Sequence, residues 1–170
     1  MTDLQRIEGL YDEHARTLHA FLLNFTRSEA DTKDLLQELF IKLARQPKLL
    51  TGLRDEKAFL LRLAHNQAID LIRRNASKGR TVDELTEASD GIFQDVADPD
   101  TNAFRKELSL ALGELPVEQR AVVHLKLWEG MTFEEIATTL ELSPNTAASR
   151  YRYGLDKLRA RLRPLYDEIK

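Results

Sequence analysis

The sequence predicts an all-α protein of two small helical domains joined by a flexible acidic linker. Three observations carry that expectation. Apolar residues recur at helical spacing through the first 75 residues and again from about residue 102 onward. Between these parts lies a stretch with seven carboxylates and no basic residue. No period-two alternation is long enough for a strand, and no internal repeat is visible.

Leu4, Ile7, Leu10, Tyr11, Leu18, Phe21, Leu22 and Phe25 place one amphipathic helix, or two, over the first 26 residues. Ser28 with Asp31 is an N-cap signal for the next helix, which runs to about Arg45 with Leu35, Leu36, Leu39, Phe40 and Leu43 on its apolar side. Pro47 and Gly52 punctuate the following connection. From about Asp55 to Asn75 runs a very apolar helix containing Phe59, Leu60, Leu61, Leu63, Ala64, Ala68, Ile69, Leu71 and Ile72.

The character changes from Ser77 to Thr101. Gly79, Gly91 and Pro99 interrupt it, and Asp83, Glu84, Glu87, Asp90, Asp95, Asp98 and Asp100 load it with charge. So few large apolar residues cannot offset the entropy of ordering the chain, so this is read as a linker. A second helical unit follows, with helices over about Asn102–Gly113 and Pro116–Trp128 and Gly130 as a stop. The expected boundaries are a first domain over 1–79, a linker over 80–102 and a second domain over 103–170.

The last stretch, Thr132 to Arg163, reads as two short helices around a tight turn. Thr132 and Glu135 form a capping box at the first. Ser143 as N-cap and Pro144 as first helical residue start the second. Ala147, Tyr151, Leu155 and Leu158 share its buried face, while Asn145, Ser149 and Arg152, flanked by Thr146 and Arg150, lie opposite. Short polar side chains near a helix N-terminus followed by arginine suit the major groove of DNA. The plainer alternative is a solvated helix in a helical domain.

The net charge of −3 argues at first against nucleic acid, but its distribution reverses that impression. Thr51–Arg80 carries seven Lys/Arg against three Asp/Glu, and Thr139–Lys170 seven against four, with the acidic segment between them. A phosphate backbone responds to fields within a Debye length, not to the sum over the chain. The first basic region holds a polar stripe on the apolar helix: Arg62, Asn66, Asp70 and Arg73, with Arg74 beside its end. Periodicity alone equally allows a solvated face on which Asp70 pairs with Arg73 or Arg74. The absence of cysteine excludes disulfides and thiolate metal sites and fits a reducing cytoplasm. The N-terminal residues lack a basic, apolar leader, and no apolar run approaches the ~20 residues of a membrane span, so a cytoplasmic chain without membrane insertion is expected.

DLLQELFIKL (Asp34–Leu43), FLLRLAHNQAIDLIRR (Phe59–Arg74) and LPVEQRAVVHLKLWEGMTFEEIATTLELSPNTAASRYRYGLDKLR (Leu115–Arg159) together resemble regions two and four of bacterial RNA polymerase sigma factors. The resemblance is to the compact extracytoplasmic-function group, and it covers nearly the whole chain apart from the linker and ends. It implies a dissociable subunit that binds core polymerase, at the largest-subunit clamp and the flap, and directs promoter-specific initiation. Asp34, Gln37, Glu38, Phe40 and Lys42 would then contact the clamp coiled coil, while Leu36, Leu39 and Leu43 pack internally. Asn66 would capture a flipped base of the single-stranded minus-ten element, its amide both donating and accepting. Arg62, Asp70, Arg73, Arg74, Lys78 and Arg80 would lie along the same strand, the basic ones on phosphates.

Pro144, Asn145, Thr146, Ser149, Arg150, Arg152 and Tyr153 would form the minus-thirty-five reader. Here the sequence departs from the common pattern, having Ala148 and Tyr153 where many members carry basic residues. The acidic linker would thread a basic path toward the RNA exit channel as a polyanion mimic, or serve as a solubilising spacer. The resemblance also implies an anti-sigma partner.

Other classes of function compete with this reading. His14, His19, His65 and His124 are scattered, and no metal-spaced cluster, phosphate loop or nucleophile motif stands in the sequence, so neither catalysis nor a cofactor is expected. A stand-alone helix-turn-helix regulator accounts for Thr132–Arg163 but leaves the first 80 residues without a purpose.

Overall fold

The computed structural model describes residues 1–77 and 99–169, and its regular elements are all helical: α1 (Asp3–Thr26), α2 (Glu29–Arg45), a 3-10 turn (Pro47–Leu50), α3 (Glu56–Ser77), α4 (Pro99–Glu114), α5 (Val117–Leu127), α6 (Phe133–Leu140) and α7 (Pro144–Ile169). α1 is one continuous helix. Thr2 and Gln5 form a reciprocal capping box at its start, a signal the apolar spacing alone did not contain. Ser28 Oγ accepts from the Asp31 N–H at 3.2 Å, so α2 begins at the expected cap. Asp55 Oδ1 accepts from the Ala58 N–H at 3.0 Å and starts α3.

One expected boundary is corrected. α4 begins at Pro99 rather than near Asn102, so residues 99–102 belong to a helix and not to the linker. Proline's fixed φ suits a first helical turn, whose N–H groups lack intrahelical partners in any case. The remainder of the expected linker, with Arg80, Asp83, Glu84, Glu87, Asp90, Asp95 and Asp98, lies outside the described residues, as does Lys78 at the end of the expected first domain.

α1, α2 and α3 pack around Leu18, Phe21, Leu22, Leu39, Leu43, Leu60, Leu61 and Ala64, all buried. This core does not stop at the first unit. It continues through Ala121, Val122, Leu125, Met131, Ile136, Leu140 and Ala147 of α5, α6, α7 and the α5–α6 turn. The two units therefore sit against each other, where the sequence predicts two small domains joined only by a flexible linker. A smaller cluster of Ala111, Leu112, Leu115, Val123 and Leu158 fastens α4 and α5 to α7. At the α5–α7 crossing a Cβ on Gly154 would lie 2.8 Å from a Val123 methyl, so glycine is what allows the two helices to approach there.

Candidate promoter and polymerase interfaces

The α3 stripe is as expected a single surface: Arg62, Asn66, Asp70, Arg73 and Arg74 are all exposed along one side, above buried Leu61, Ala64 and Ala68. No salt bridge among the described residues joins Asp70 to Arg73 or Arg74. Arg62 instead pairs with Glu141 of the second unit at 3.3 Å. His65, next to Asn66, lies edge-on to Phe25 with ring centroids 5.4 Å apart. Burial holds its imidazole below the ordinary range and the Arg150 guanidinium adds to this, against the Asn66 hydrogen bond and the Glu141 and Glu118 carboxylates.

The helix-turn-helix is built by the predicted local signals. Thr132 Oγ1 accepts from the Glu135 N–H at 3.1 Å while Glu135 Oε1 accepts from the Thr132 N–H at 3.3 Å. Glu141, at φ 59°, ends α6 in the left-handed region, and the Leu142 N–H donates to the Ala137 carbonyl at 2.8 Å. Ser143 Oγ then accepts from the Thr146 N–H at 3.1 Å to open α7. Ala147 and Leu158 are buried; Pro144, Asn145, Arg152 and Tyr153 are exposed, and Thr146, Ser149 and Arg150 are half-buried. The Arg152 guanidinium lies over the Tyr153 ring at 5.2 Å, so the two present one cationic-aromatic surface. Arg150 diverges from this group. It lines a cleft of about 600 Å³ with Asn66, Asp70 and Arg73 of α3.

On α2, Asp34, Gln37, Glu38 and Lys42 are exposed and Phe40 is half-buried against Tyr11, ring centroids 5.0 Å apart. Leu36, Leu39 and Leu43 point inward. Gln37 and Phe40 also line a groove of about 640 Å³ between α1 and α2 with Leu4, Tyr11, Ile41 and Ala44, which the sequence reading did not assign to the surface. Leu4, Tyr11 and Ile41 are exposed. The seven-residue step from Leu4 to Tyr11, and the steps of four and three from Gln37 to Ile41 and Ala44, were the available signal.

The contact between the units has a polar centre that no sequence pattern announced. The buried Arg120 guanidinium donates to the Asn24 and Phe25 carbonyls at the end of α1, at 3.2 and 2.9 Å. It also donates to the carbonyls of Leu112, Gly113 and Leu115 around the end of α4, at 2.9, 3.1 and 2.9 Å. Arg27, at φ 61° beyond α1 and likewise buried, donates to the Ser109 carbonyl at 2.7 Å, the Ser109 hydroxyl at 3.0 Å and Asn24 Oδ1 at 3.2 Å. Desolvation, with Arg27 nearby, lowers Arg120 to about 10, still charged at neutral pH. With its oxygen engaged by Arg27, the Asn24 amide turns its N–H toward His124 Nδ1 at 3.0 Å. That geometry requires a neutral imidazole, and burial lowers His124 to about 4. No helix among the described residues is long and apolar enough to cross a membrane.

Comparison with known proteins agrees with this division. The family model for Sigma-70 region 2 matches residues 10–78, and that for Sigma-70, region 4 matches residues 105–158. The ECF RNA polymerase sigma factor SigX of Bacillus subtilis is 31% identical over 169 residues, covering 94% of this chain and 85% of SigX. SigL of Mycobacterium tuberculosis is 32% identical over 162 residues, covering 94% and 90%. A solved structure of the sigma factor RpoE with the anti-sigma factor NepR from Bartonella quintana shares the fold, at TM-score 0.73, 18% identity and 94% coverage of this chain and 98% of that one.

The chain belongs to the extracytoplasmic-function group of the sigma-70 family, and it directs promoter-specific transcription initiation as a subunit of RNA polymerase. The stand-alone regulator is not favoured, because it leaves the match over 10–78 without a purpose.

Proposed function

We propose that the work of this sigma factor is divided among three faces. The α1–α2 groove, with Gln37 and Phe40 in its wall and Asp34, Glu38 and Lys42 on the same helix, docks on the clamp of core polymerase. The α3 stripe holds the single-stranded minus-ten element, Asn66 capturing an unpaired base and Arg62, Arg73 and Arg74 taking phosphates. The exposed side of α7 reads the minus-thirty-five element, with Asn145, Ser149 and Arg152 toward base edges and Tyr153 stacked on the arginine. Arg150 serves a phosphate rather than a base, since it points to the α3 side. An anti-sigma partner restrains the factor. The chain acts in the cytoplasm and performs no chemistry itself; bond formation belongs to the polymerase.

The observation that carries this reading is the run of exposed polar side chains on α3 above buried Leu60, Leu61, Ala64 and Ala68. Four aligned groups in a basic surround, one of them an amide that both donates and accepts, suit a strand whose bases are splayed out. Asn66 is exposed and its side chain meets His65 rather than the apolar core, so urea unfolding of the variant separates an effect on function from one on folding. Asn66→Ala should reduce open-complex formation, read by permanganate reactivity of unpaired thymines, by about 1–3 kcal/mol, with affinity for core polymerase unchanged. Equal loss of both would contradict the role.

A further inference from the structure

We propose that Tyr153 is a positioning residue: its ring holds the Arg152 guanidinium in one orientation and so sets the base preference of α7 at one position of the minus-thirty-five element. The inference rests on the assignment of the exposed side of α7 to that element. The Arg152 guanidinium carbon lies 5.2 Å from the centre of the Tyr153 ring. Both side chains are exposed, Tyr153 at 53%. The Tyr153 ring has no part in either apolar cluster, whereas Tyr151, two residues earlier, packs against both. Burial therefore gives no reason for an aromatic side chain at 153. Neighbouring arginines of the helix are engaged elsewhere. Arg150 lines the cleft toward α3, Arg159 pairs with Asp156 at 4.0 Å, and Arg161 pairs with Glu107 and Glu114 at 3.4 and 3.2 Å. No salt bridge among the described residues includes Arg152. Its neighbour is the ring.

The kind of partner matters. A carboxylate would occupy the same N–H groups that a base needs. An aromatic ring takes the face of the guanidinium and leaves its edge, with the donors, open. Guanine is read by that edge, two N–H groups donating to O6 and N7. An unstacked arginine samples many rotamers and is free to settle on a phosphate, which carries no sequence information. Stacking removes part of that freedom before DNA arrives, so less ordering is left for binding. The benefit falls on the one geometry that the held plane can satisfy. Ser149 and Asn145 lie three and seven residues earlier on the same side of α7, with shorter side chains. Arg152 therefore addresses a base pair of its own, and the base it selects is guanine.

The test is selection of promoter DNA, randomised over the minus-thirty-five element, by core polymerase joined to the full chain, with the retained pool sequenced. The unaltered chain should select guanine, on either strand, at one position. Arg152→Ala should lower that preference by about 5- to 150-fold, the worth of a bidentate contact. Tyr153→Ala should lower it at the same position by about two- to fivefold, the worth of exposed stacking, and Tyr153→Phe, which keeps the ring, should restore it. Joining Arg152→Ala to Tyr153→Ala should cost no more than Arg152→Ala alone. The preference is a ratio within one sample, so a variant that folds less well retains less DNA without changing it. An unchanged preference in Tyr153→Ala overturns the positioning role while leaving α7 as the reader. So does a loss at a position that Arg152→Ala leaves alone, or a loss in Tyr153→Phe equal to that in Tyr153→Ala. An even loss over all sequences in Arg152→Ala, with a salt slope shallower by about one, makes the arginine a phosphate contact and overturns the proposal at its base. If the unaltered chain selects nothing across the element, the assignment of α7 itself fails and takes the proposal with it.

Discussion

Arg120 shows how much one side chain can organise. Its five donor contacts close the ends of two helices from different units, a task that lysine, with one nitrogen, cannot reproduce. Asn24 passes the consequence to His124: because Arg27 takes the amide oxygen, the ring nitrogen facing Asn24 must accept. Protonating His124 would set a donor against a donor, and Phe21 and Trp128 leave the ring little water. Its folded pKa is about 4 against an ordinary 6.5, so the unfolded chain binds more protons between those values. Stability is therefore whole above pH 6.5, falls as pH drops toward 4 and levels off below it; the loss due to His124 approaches about 3 kcal/mol. His65, also lowered by burial, adds in the same direction. Urea unfolding at pH 7 and pH 5 checks this, and His124→Gln should flatten the difference. A profile with no fall over that window would contradict the burial of a neutral ring. None of this was legible in the sequence, where His124 was one of four scattered histidines and Arg120 one residue of a longer motif. Both depend on partners about 100 residues away.

Elements were the most legible scale, because helix ends are written locally. Ser28, the Thr132–Glu135 box and Ser143 with Pro144 each occupy the expected cap. The α3 stripe was visible for the same reason, since steps of three and four put residues on one side of a helix. The α1–α2 groove was not, because it exists only where two helices meet and Tyr11 leans on Phe40. The start of α4 was obscured by the acids around Pro99, which made the segment look like linker throughout. Gly154 is a similar case. In sequence it is a weak point within a helix, and in the structure it is where α5 and α7 touch. Gly154→Ala gains about 1 kcal/mol of helix propensity but forces an added methyl against buried Val123, an overpacking cost of about 1–3 kcal/mol. The variant should be less stable by about 1 kcal/mol in urea denaturation. A net gain would mean that the helices separate more easily than the crossing implies.

At the scale of the whole molecule, charge division and architecture complement each other. Two basic regions flank an acidic segment, and the folded units bring Arg73 of α3 and Arg150 of α7 to a common cleft. The division into two helical units could be read from composition. Their mutual packing could not, because Arg62 with Glu141 and Lys57 with Glu129 are unremarkable residues until the fold joins them. The most direct measurement is run-off transcription by core polymerase on a pool of genomic fragments, with and without this chain, followed by sequencing of the transcript starts. The account predicts new, sharply defined starts that share two upstream elements at fixed spacing and vanish when the chain is omitted. A chain that joins core polymerase yet adds no defined start would contradict it.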